Sequence, residues 1–143
     1  MNIQIKKISE DAIIPKYAHE GDSGFDFYSI EDYKLAPGKR TLIKTGLQVS
    51  IPLGYELQIR PKSGLALKKG LTVLNTPGTV DAGYRGEIGI ILINLGEEEY
   101  FVEKGSKVAQ GVVCQVENPE IEEVKELSET SRGERGFGST GLH

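Results

Sequence analysis

Apolar and polar residues alternate along this chain with a period of two far more often than with a helical period. Tyr55, Leu57 and Ile59 alternate with Glu56, Gln58 and Arg60, which predicts a half-buried strand. Ile43, Thr45, Leu47, Val49 and Ile51 share one parity, with Gly46 marking a bulge in the run. Ile88 to Leu95 is apolar on both faces and reads as a buried strand. Lys107 to Val116 is a further candidate, with Val108, Val112, Cys114 and Val116 on one face, and Cys114 is expected in the core. Shorter candidates are Ile3/Ile5 and Gly24 to Ile30. Pro15, Pro37-Gly38, Pro52, Pro61, Pro77-Gly78 and Gly96 punctuate these runs at the intervals of a β-sandwich or barrel. Only Ser63 to Lys69 suits a helix, a short one closed by Gly70. No internal repeat is present, and the fold class is all-β.

The last quarter of the chain has a different character. Asn118 to Thr130 reads as an acidic linker opened by Pro119, and the following segment is rich in serine, glycine and arginine, with only Phe137 and Leu142 large enough to anchor it. Such a terminus is expected to be disordered in isolation. The resulting organisation is a body over residues 1–117, a linker over 118–130 and a glycine-rich arm over 131–143.

Composition narrows the possibilities. A chain of 143 residues, 38% hydrophobic and 27% charged, suits one globular domain. No apolar run approaches the roughly 18 residues of a membrane span, and the N-terminal residues lack the apolar stretch of a secretion signal. The one cysteine, Cys114, has no partner for an internal disulfide, so a reducing cytoplasmic setting is expected. Six glutamates and one lysine lie within residues 117–129; setting them aside from 21 acids and 17 bases leaves 15 acids against 16 bases. A nearly neutral body has no footprint for a nucleic acid polymer, although it can still take one small anion. The 18 glycines point to many turns and to backbone held close to something.

Two motif matches in the arm fail on context. Gly136-Phe-Gly-Ser-Thr-Gly141 spells a dinucleotide fingerprint but has no room for the helix that must follow, and Gly133 to Thr140 nearly spells a P-loop with Ser139 where its lysine belongs. The physics behind them persists, because glycine-rich backbone exposes N–H groups to phosphate oxygens.

Five separated segments carry a stronger signal. They are Gly24-Phe-Asp-Phe-Tyr28, Pro61-Lys-Ser-Gly-Leu-Ala66, Asn75 through Gly86, Lys107-Val-Ala-Gln-Gly111, and Arg132 through Gly141. In order and spacing they resemble the five motifs of the trimeric dUTPase family, over roughly residues 20–141. The resemblance implies a jelly-roll-like β-barrel and a homotrimer whose three sites are shared between subunits, with each C-terminal arm exchanged onto a neighbour's site. It also implies the reaction: dUTP is hydrolysed to dUMP and pyrophosphate with Mg2+, which lowers dUTP and supplies dUMP for dTMP synthesis.

The same resemblance assigns roles. Asp81 would hold and deprotonate the water that attacks the α-phosphorus, although Asp81-Ala-Gly83 also reads as a plain hairpin turn. Gln110 would help orient that water, or else be a glutamine on a solvent-facing strand. Asn75 and Tyr84 would shape a uracil and deoxyribose pocket on a β-hairpin, with Thr79 and Val80 contributing backbone. A cytosine edge would leave buried groups of that pocket unpaired. Lys62, Ser63 and Gly64 would meet the phosphates. The family usually has arginine at position 62, and lysine lacks its bidentate fork; Arg60 is a substitute, although its parity suggests a solvent face. Gly83 and Arg135 are further departures, the first standing where many members carry a second aspartate. In the arm, Arg132 would pair with the γ-phosphate and Phe137 would stack on the uracil, with Gly138 and Ser139 completing the substrate contacts. Asp26 fits either of two roles, one near magnesium-bound waters and one as a structural hydrogen-bonding aspartate. No His/Cys cluster suggests a metal held by the protein, so the magnesium would sit on the triphosphate and water.

Two other readings compete. A dCTP deaminase-like enzyme of the same fold would carry Arg-Ser-Ser where this chain has Pro61-Lys-Ser-Gly64. A non-catalytic regulatory trimer of the phage type would bind a protein partner, and an insertion between motifs would favour it; none of substantial length is seen.

Overall fold

The computed structural model describes residues 1–143. Eleven strands and one short helix make up the body, and no strand follows Gln115. Strands β1 (Gln4–Lys7), β2 (Phe25–Tyr28), β3 (Tyr33–Leu35), β4 (Arg40–Lys44), β5 (Leu47–Ser50) and β6 (Tyr55–Arg60) precede helix α1 (Ser63–Lys69). Strands β7 (Leu71–Val73), β8 (Gly78–Val80), β9 (Gly89–Asn94), β10 (Tyr100–Val102) and β11 (Lys107–Gln115) follow it. The ladders form four small antiparallel sheets ordered β1-β5, β10-β3, β2-β11-β6-β8 and β4-β9-β7. Neighbours in a sheet are mostly distant in sequence, so most pairing is long-range and the sheets enclose one apolar cluster between them.

Alternation dictates which side chains enter that cluster. On β6, Leu57 and Ile59 are buried, while Glu56, Gln58 and Arg60 lie on the outer face. The single parity of Ile43, Thr45, Leu47, Val49 and Ile51 holds, and all five are buried. Gly46 does not mark a bulge within one strand, however. With φ at +67° it turns a corner at which the chain leaves the β4-β9 ladder and joins β1 through β5. A Cβ there would meet the Cβ atoms of Ser9 and Ala12 at 2.9 Å, so glycine is required both by conformation and by space.

The predicted helix has the expected bounds. Gly70 closes it in the left-handed conformation (φ 69°), donating its N–H to the Ala66 carbonyl, and Lys68 and Lys69 sit in the last turn where the helix dipole favours cations. Seven residues are too few for an independent helix, and Leu65 packing on the cluster supplies the tertiary anchor.

Two expectations about faces are corrected. Strand β9 buries only one face: Ile88, Ile90, Leu92 and Asn94 are buried, whereas Ile91 and Ile93 are half-covered and join Leu42 (55% exposed) on an open apolar face. In β11 the register shifts between Lys107 and Ala109. Val108 and Ala109 are consequently both buried, and beyond them Ala109 and Gly111 face the core. Val112 and Cys114 therefore lie on the outer face and are only half-buried, so Cys114 is not a core residue; its Sγ stands 3.6 Å from an Arg60 guanidinium nitrogen.

Residues 116–143 form no helix or strand, and almost all of them are exposed. No helix is long and apolar enough to cross a membrane.

Candidate active site

The candidate residues of the body gather mainly in two places, toward opposite ends of strand β6. The first lies where β6 runs into Pro61 and α1. Gln110 on β11 is paired with Arg60 on one side and Asp26 on the other. Its Nε2 donates to the Pro61 carbonyl at 3.0 Å, and its amide oxygen rests against Gly24, where a Cβ would collide with it. Gln110 is thus a half-buried residue with fixed partners rather than a free solvent-facing glutamine. Lys62 is the N-cap of α1 in extended conformation, and its side chain does not cap the helix. Instead its Nζ reaches Asp26 Oδ1 at 2.5 Å. Ser63 and Gly64 open the helix, so their N–H groups have no acceptor within it.

Asp26 is only 9% exposed. Burial pushes its carboxyl up, but hydrogen bonds and charge from Lys62 and Lys107 outweigh burial and hold it below the ordinary value of 3.8. Lys107 Nζ lies 3.0 Å from Asp26 Oδ2, and that carboxylate raises the lysine above 10.5. Asp26 thus accepts from two lysines, one on each oxygen. Arg60, the substitute considered for Lys62, points along the outer face, where it donates to Gln58 Oε1 at 2.7 and 3.0 Å.

The second cluster follows β8. Val80 pairs with Leu57, so Asp81 falls level with Glu56, whereas Gln110 is level with Arg60. Four residues of strand separate those levels, about 13 Å at the usual rise. Asp81 is exposed, and with Thr79, Val80 and Tyr84 it lines a cavity of about 260 Å³. Its carbonyl accepts the Tyr84 N–H at 3.0 Å, closing a tight turn. The Tyr84 hydroxyl donates to the Glu87 carbonyl at 2.9 Å, and the ring lies against Gly86, where any Cβ would collide with it. Asn75 stands near Gly78, at the Ile59 end of β8. The segment is not a β-hairpin: β8 pairs with β6, and the next strand, β9, pairs with β4 and β7. A turn whose flanking strands enter different sheets looks like a hairpin in sequence, because both need the same Asp and Gly.

The arm touches neither cluster through any hydrogen bond. Arg132 Nε donates to the Arg135 carbonyl at 2.8 Å and Arg135 Nε to the Arg132 carbonyl at 3.0 Å, which gives Arg135 a local role. Phe137 is fully exposed, and the shallow cavity beside it is lined by arm residues alone, including Gly138 and Ser139. No three His, Cys, Asp or Glu side chains converge as a metal cage. Asp26, with an oxygen on each of two lysines, and Asp81, at the other end of β6, are single carboxylates, a donor set that fits a magnesium ion held mainly by other oxygen ligands and water rather than by a protein cage.

Lys107, to which sequence reasoning gave no role, shares Asp26 with Lys62. By parity it belongs with Ala109 and Gly111 on the core face, and only the extra residue at Val108 turns it onto the face of Asp26 and Gln110.

Comparison with known proteins decides the family. The dUTPase family model matches residues 10–141. The chain belongs to the dUTPase family. It is 59% identical over 142 residues to a deoxyuridine 5'-triphosphate nucleotidohydrolase of Clostridium novyi (strain NT), covering 99% of this chain and 100% of that protein. A protein of the same name from Clostridium tetani (strain Massachusetts / E88) is 60% identical over 139 residues, or 97% of this chain and 96% of that one. Among solved structures, the Staphylococcus bacteriophage 80alpha dUTPase with dUPNHPP superposes with a TM-score of 0.90 at 33% identity, covering 99% of each chain. The mostly-β architecture described above is therefore that of the dUTPase structures.

Proposed function

We propose that this dUTPase-family chain hydrolyses dUTP to dUMP and pyrophosphate by in-line attack of an Asp81-activated water on the α-phosphorus. The observation that carries the reading is the full-length match to deoxyuridine 5'-triphosphate nucleotidohydrolases, in a chain whose candidate residues fall into two partial sites. Lys62, Ser63 and Gly64 bind the phosphates. Gln110 orients the water from its anchored position on β11. Asn75, Thr79, Val80 and Tyr84 take the base and deoxyribose, with the Tyr84 ring excluding a ribose 2′-hydroxyl. Asp81, exposed in its turn, accepts the water's proton. Magnesium carried on the triphosphate would neutralise its charge, and Asp26, beside Lys62, would be the carboxylate facing its waters.

Gln110 and Asp81 cannot serve one water from the two ends of β6, about 13 Å apart by strand rise. We infer a homotrimer in which the Lys62–Gln110 half of one subunit meets the Asp81 half of another. The open apolar face of Leu42, Ile91 and Ile93 supports association, since an uncovered sheet face of this kind is costly in water. Residues 1–117 then act as the body and 118–130 as the linker. Residues 131–143 close over a neighbouring site, where Arg132 meets the γ-phosphate, Phe137 stacks on uracil, and Gly138 and Ser139 add backbone contacts. An enzyme with one half-buried free cysteine, working on a soluble nucleotide, suits the cytoplasm.

The test is turnover. Purified protein with magnesium should convert dUTP to dUMP and pyrophosphate while sparing dCTP, dTTP and UTP, and it should sediment as a trimer. Asp81→Asn should still bind dUTP while turnover falls about 10²–10⁴-fold, the scale of a positioned base. Release of ammonia from dCTP would replace this reading with the deaminase one; no turnover of any nucleotide would favour a purely regulatory trimer.

A further inference from the structure

We propose that Lys107 is a positioning residue for phosphate binding: it retains Asp26 so that Lys62 is free to leave that carboxylate for the substrate. The inference rests on the reading of Lys62 as a phosphate-binding residue and assigns a role to a side chain that the five-motif resemblance leaves without one.

The geometry is asymmetric. The two lysines hold different oxygens of Asp26, Lys62 on Oδ1 at 2.5 Å and Lys107 on Oδ2 at 3.0 Å. Asp26 and Lys107 stand on hydrogen-bonded neighbouring strands, with Lys107 paired to Tyr28, two residues beyond Asp26. Lys62 stands outside any ladder, in the connection between β6 and α1. The pair Asp26–Lys107 therefore bridges two strands of one sheet, whereas Lys62 reaches Asp26 by its side chain alone, from a backbone that caps α1.

Lys62 faces a conflict that the family's usual arginine does not. A guanidinium can present separate N–H groups to two anions at once, whereas an ammonium is a compact charge that serves one best. If Lys62 were the sole partner of Asp26, moving it to a phosphate would strip a carboxylate that is only 9% exposed, and a buried unpaired charge strongly opposes such a step. Lys107 removes that opposition. With two ammonium groups on one carboxylate the cluster carries a net charge of about +1, which is available to an incoming polyphosphate. Without Lys107 the cluster is a neutral pair with Lys62 locked in it. The bulge at Val108 is what brings the second charge onto this face.

The experiment is a double-mutant cycle on the full chain with magnesium, measuring kcat and KM for dUTP and calorimetric Kd for inorganic tripolyphosphate. Lys107→Met should raise KM and the tripolyphosphate Kd about tenfold, the scale of one charge-assisted bond, with kcat within about threefold. Lys107→Arg should restore both constants. In a Lys62→Met background, Lys107→Met should add almost nothing, because its effect travels through Lys62. Multiplying effects would overturn the proposal in favour of direct, independent contact by Lys107. So would unchanged constants in Lys107→Met, or an Arg variant as impaired as Met. Thermal melting of each variant identifies loss of fold, and Lys107→Gln then replaces Lys107→Met in the cycle. The tripolyphosphate arm needs no uracil recognition, so failure of dUTP turnover and failure of the lysine coupling give separate signatures.

Discussion

Gly24 and Gly111 both bear on Gln110, and adding one methyl group to each should have opposite consequences. Gly111 lies in β11 between Phe25 of β2 and Ile59 of β6. A Cβ built there would stand 2.7 Å from Phe27 Cε2, 2.8 Å from Phe25 Cε2 and 2.9 Å from Leu57 Cδ1. Carbon contacts are comfortable at about 3.5–4.0 Å, so each neighbour must retreat by more than about half an ångström. None can turn toward solvent, since Phe27 and Leu57 are 0% and Phe25 is 4% exposed. Overpacking of this kind costs about 1–3 kcal/mol, and the smaller chain entropy of unfolded alanine returns about 0.4–1 kcal/mol. The net loss, centred on about 1 kcal/mol, should lower Tm by about 3–5 °C. At Gly24 the three atoms nearest the Cβ all belong to the side chain of Gln110. That amide can swing away, so stability should hold, but its bond to the Pro61 carbonyl is lost and the residue is misplaced. Turnover of dUTP should then fall about 10–100-fold. The assay is thermal melting at fixed protomer concentration, paired with initial rates. A Gly111→Ala protein melting within about 1 °C of wild type would refute the packing argument, and full activity in Gly24→Ala would remove Gln110 from the mechanism.

Two further outcomes follow from the arm and from Asp26. Deleting residues 131–143 should leave the trimer and its Tm unchanged while dUTP turnover falls steeply; mixing such subunits with full-length Asp81→Asn subunits should restore some activity if each arm serves a neighbour, and none if it serves its own subunit. The folded value of Asp26 lies below 3.8, so its contribution to stability is complete above that pH and is lost as pH falls through the folded value; that of Lys107 is complete below 10.5 and is lost as pH rises past its own raised value. The destabilisation caused by Asp26→Asn should therefore be constant between roughly pH 5 and 9 and shrink in acid, as urea unfolding at several pH values would report; a penalty varying within that window would require another titrating partner.

What the sequence made legible was local. Tyr55–Arg60 and Ser63–Lys69 have the bounds that alternation and a glycine stop imply, because each signal is written within a few residues. Errors arose where one residue changed the phase. The extra residue at Val108 moved Cys114 outward, and nothing in the letters Lys-Val-Ala-Gln distinguishes a bulged strand from a regular one. Gly46 was correctly marked as irregular, but whether a glycine bulges a strand or hands it to another sheet depends on which strands lie beside it. The five-motif resemblance supplied the candidate residues without their distribution. That Lys62 and Gln110 sit at one end of β6 and Asp81 at the other is a property of register, and register emerges only from pairing.

That distribution, together with how firmly each part is held, suggests where order is spent. Gln110 is bonded to the Pro61 carbonyl in the free chain, so on the proposed reading it is preorganised and loses little freedom on binding, whereas Lys62 must exchange Asp26 for the substrate. Asp81 projects from a closed turn, rigid in backbone but open to water. Apart from the Gly133 N–H on Thr130, the arm is hydrogen-bonded only to itself, and Gly133, Gly138 and Gly141 adopt positive φ there, so its ordering is the most expensive step. On the proposed reading, contacts to both the γ-phosphate and the base are needed to offset that cost. A diphosphate or an isolated base would supply only one of them. Closure, and with it the exclusion of water around Asp81, would then require a ligand that carries both ends of dUTP, so the glycines that weaken the arm would also make it selective for the complete substrate.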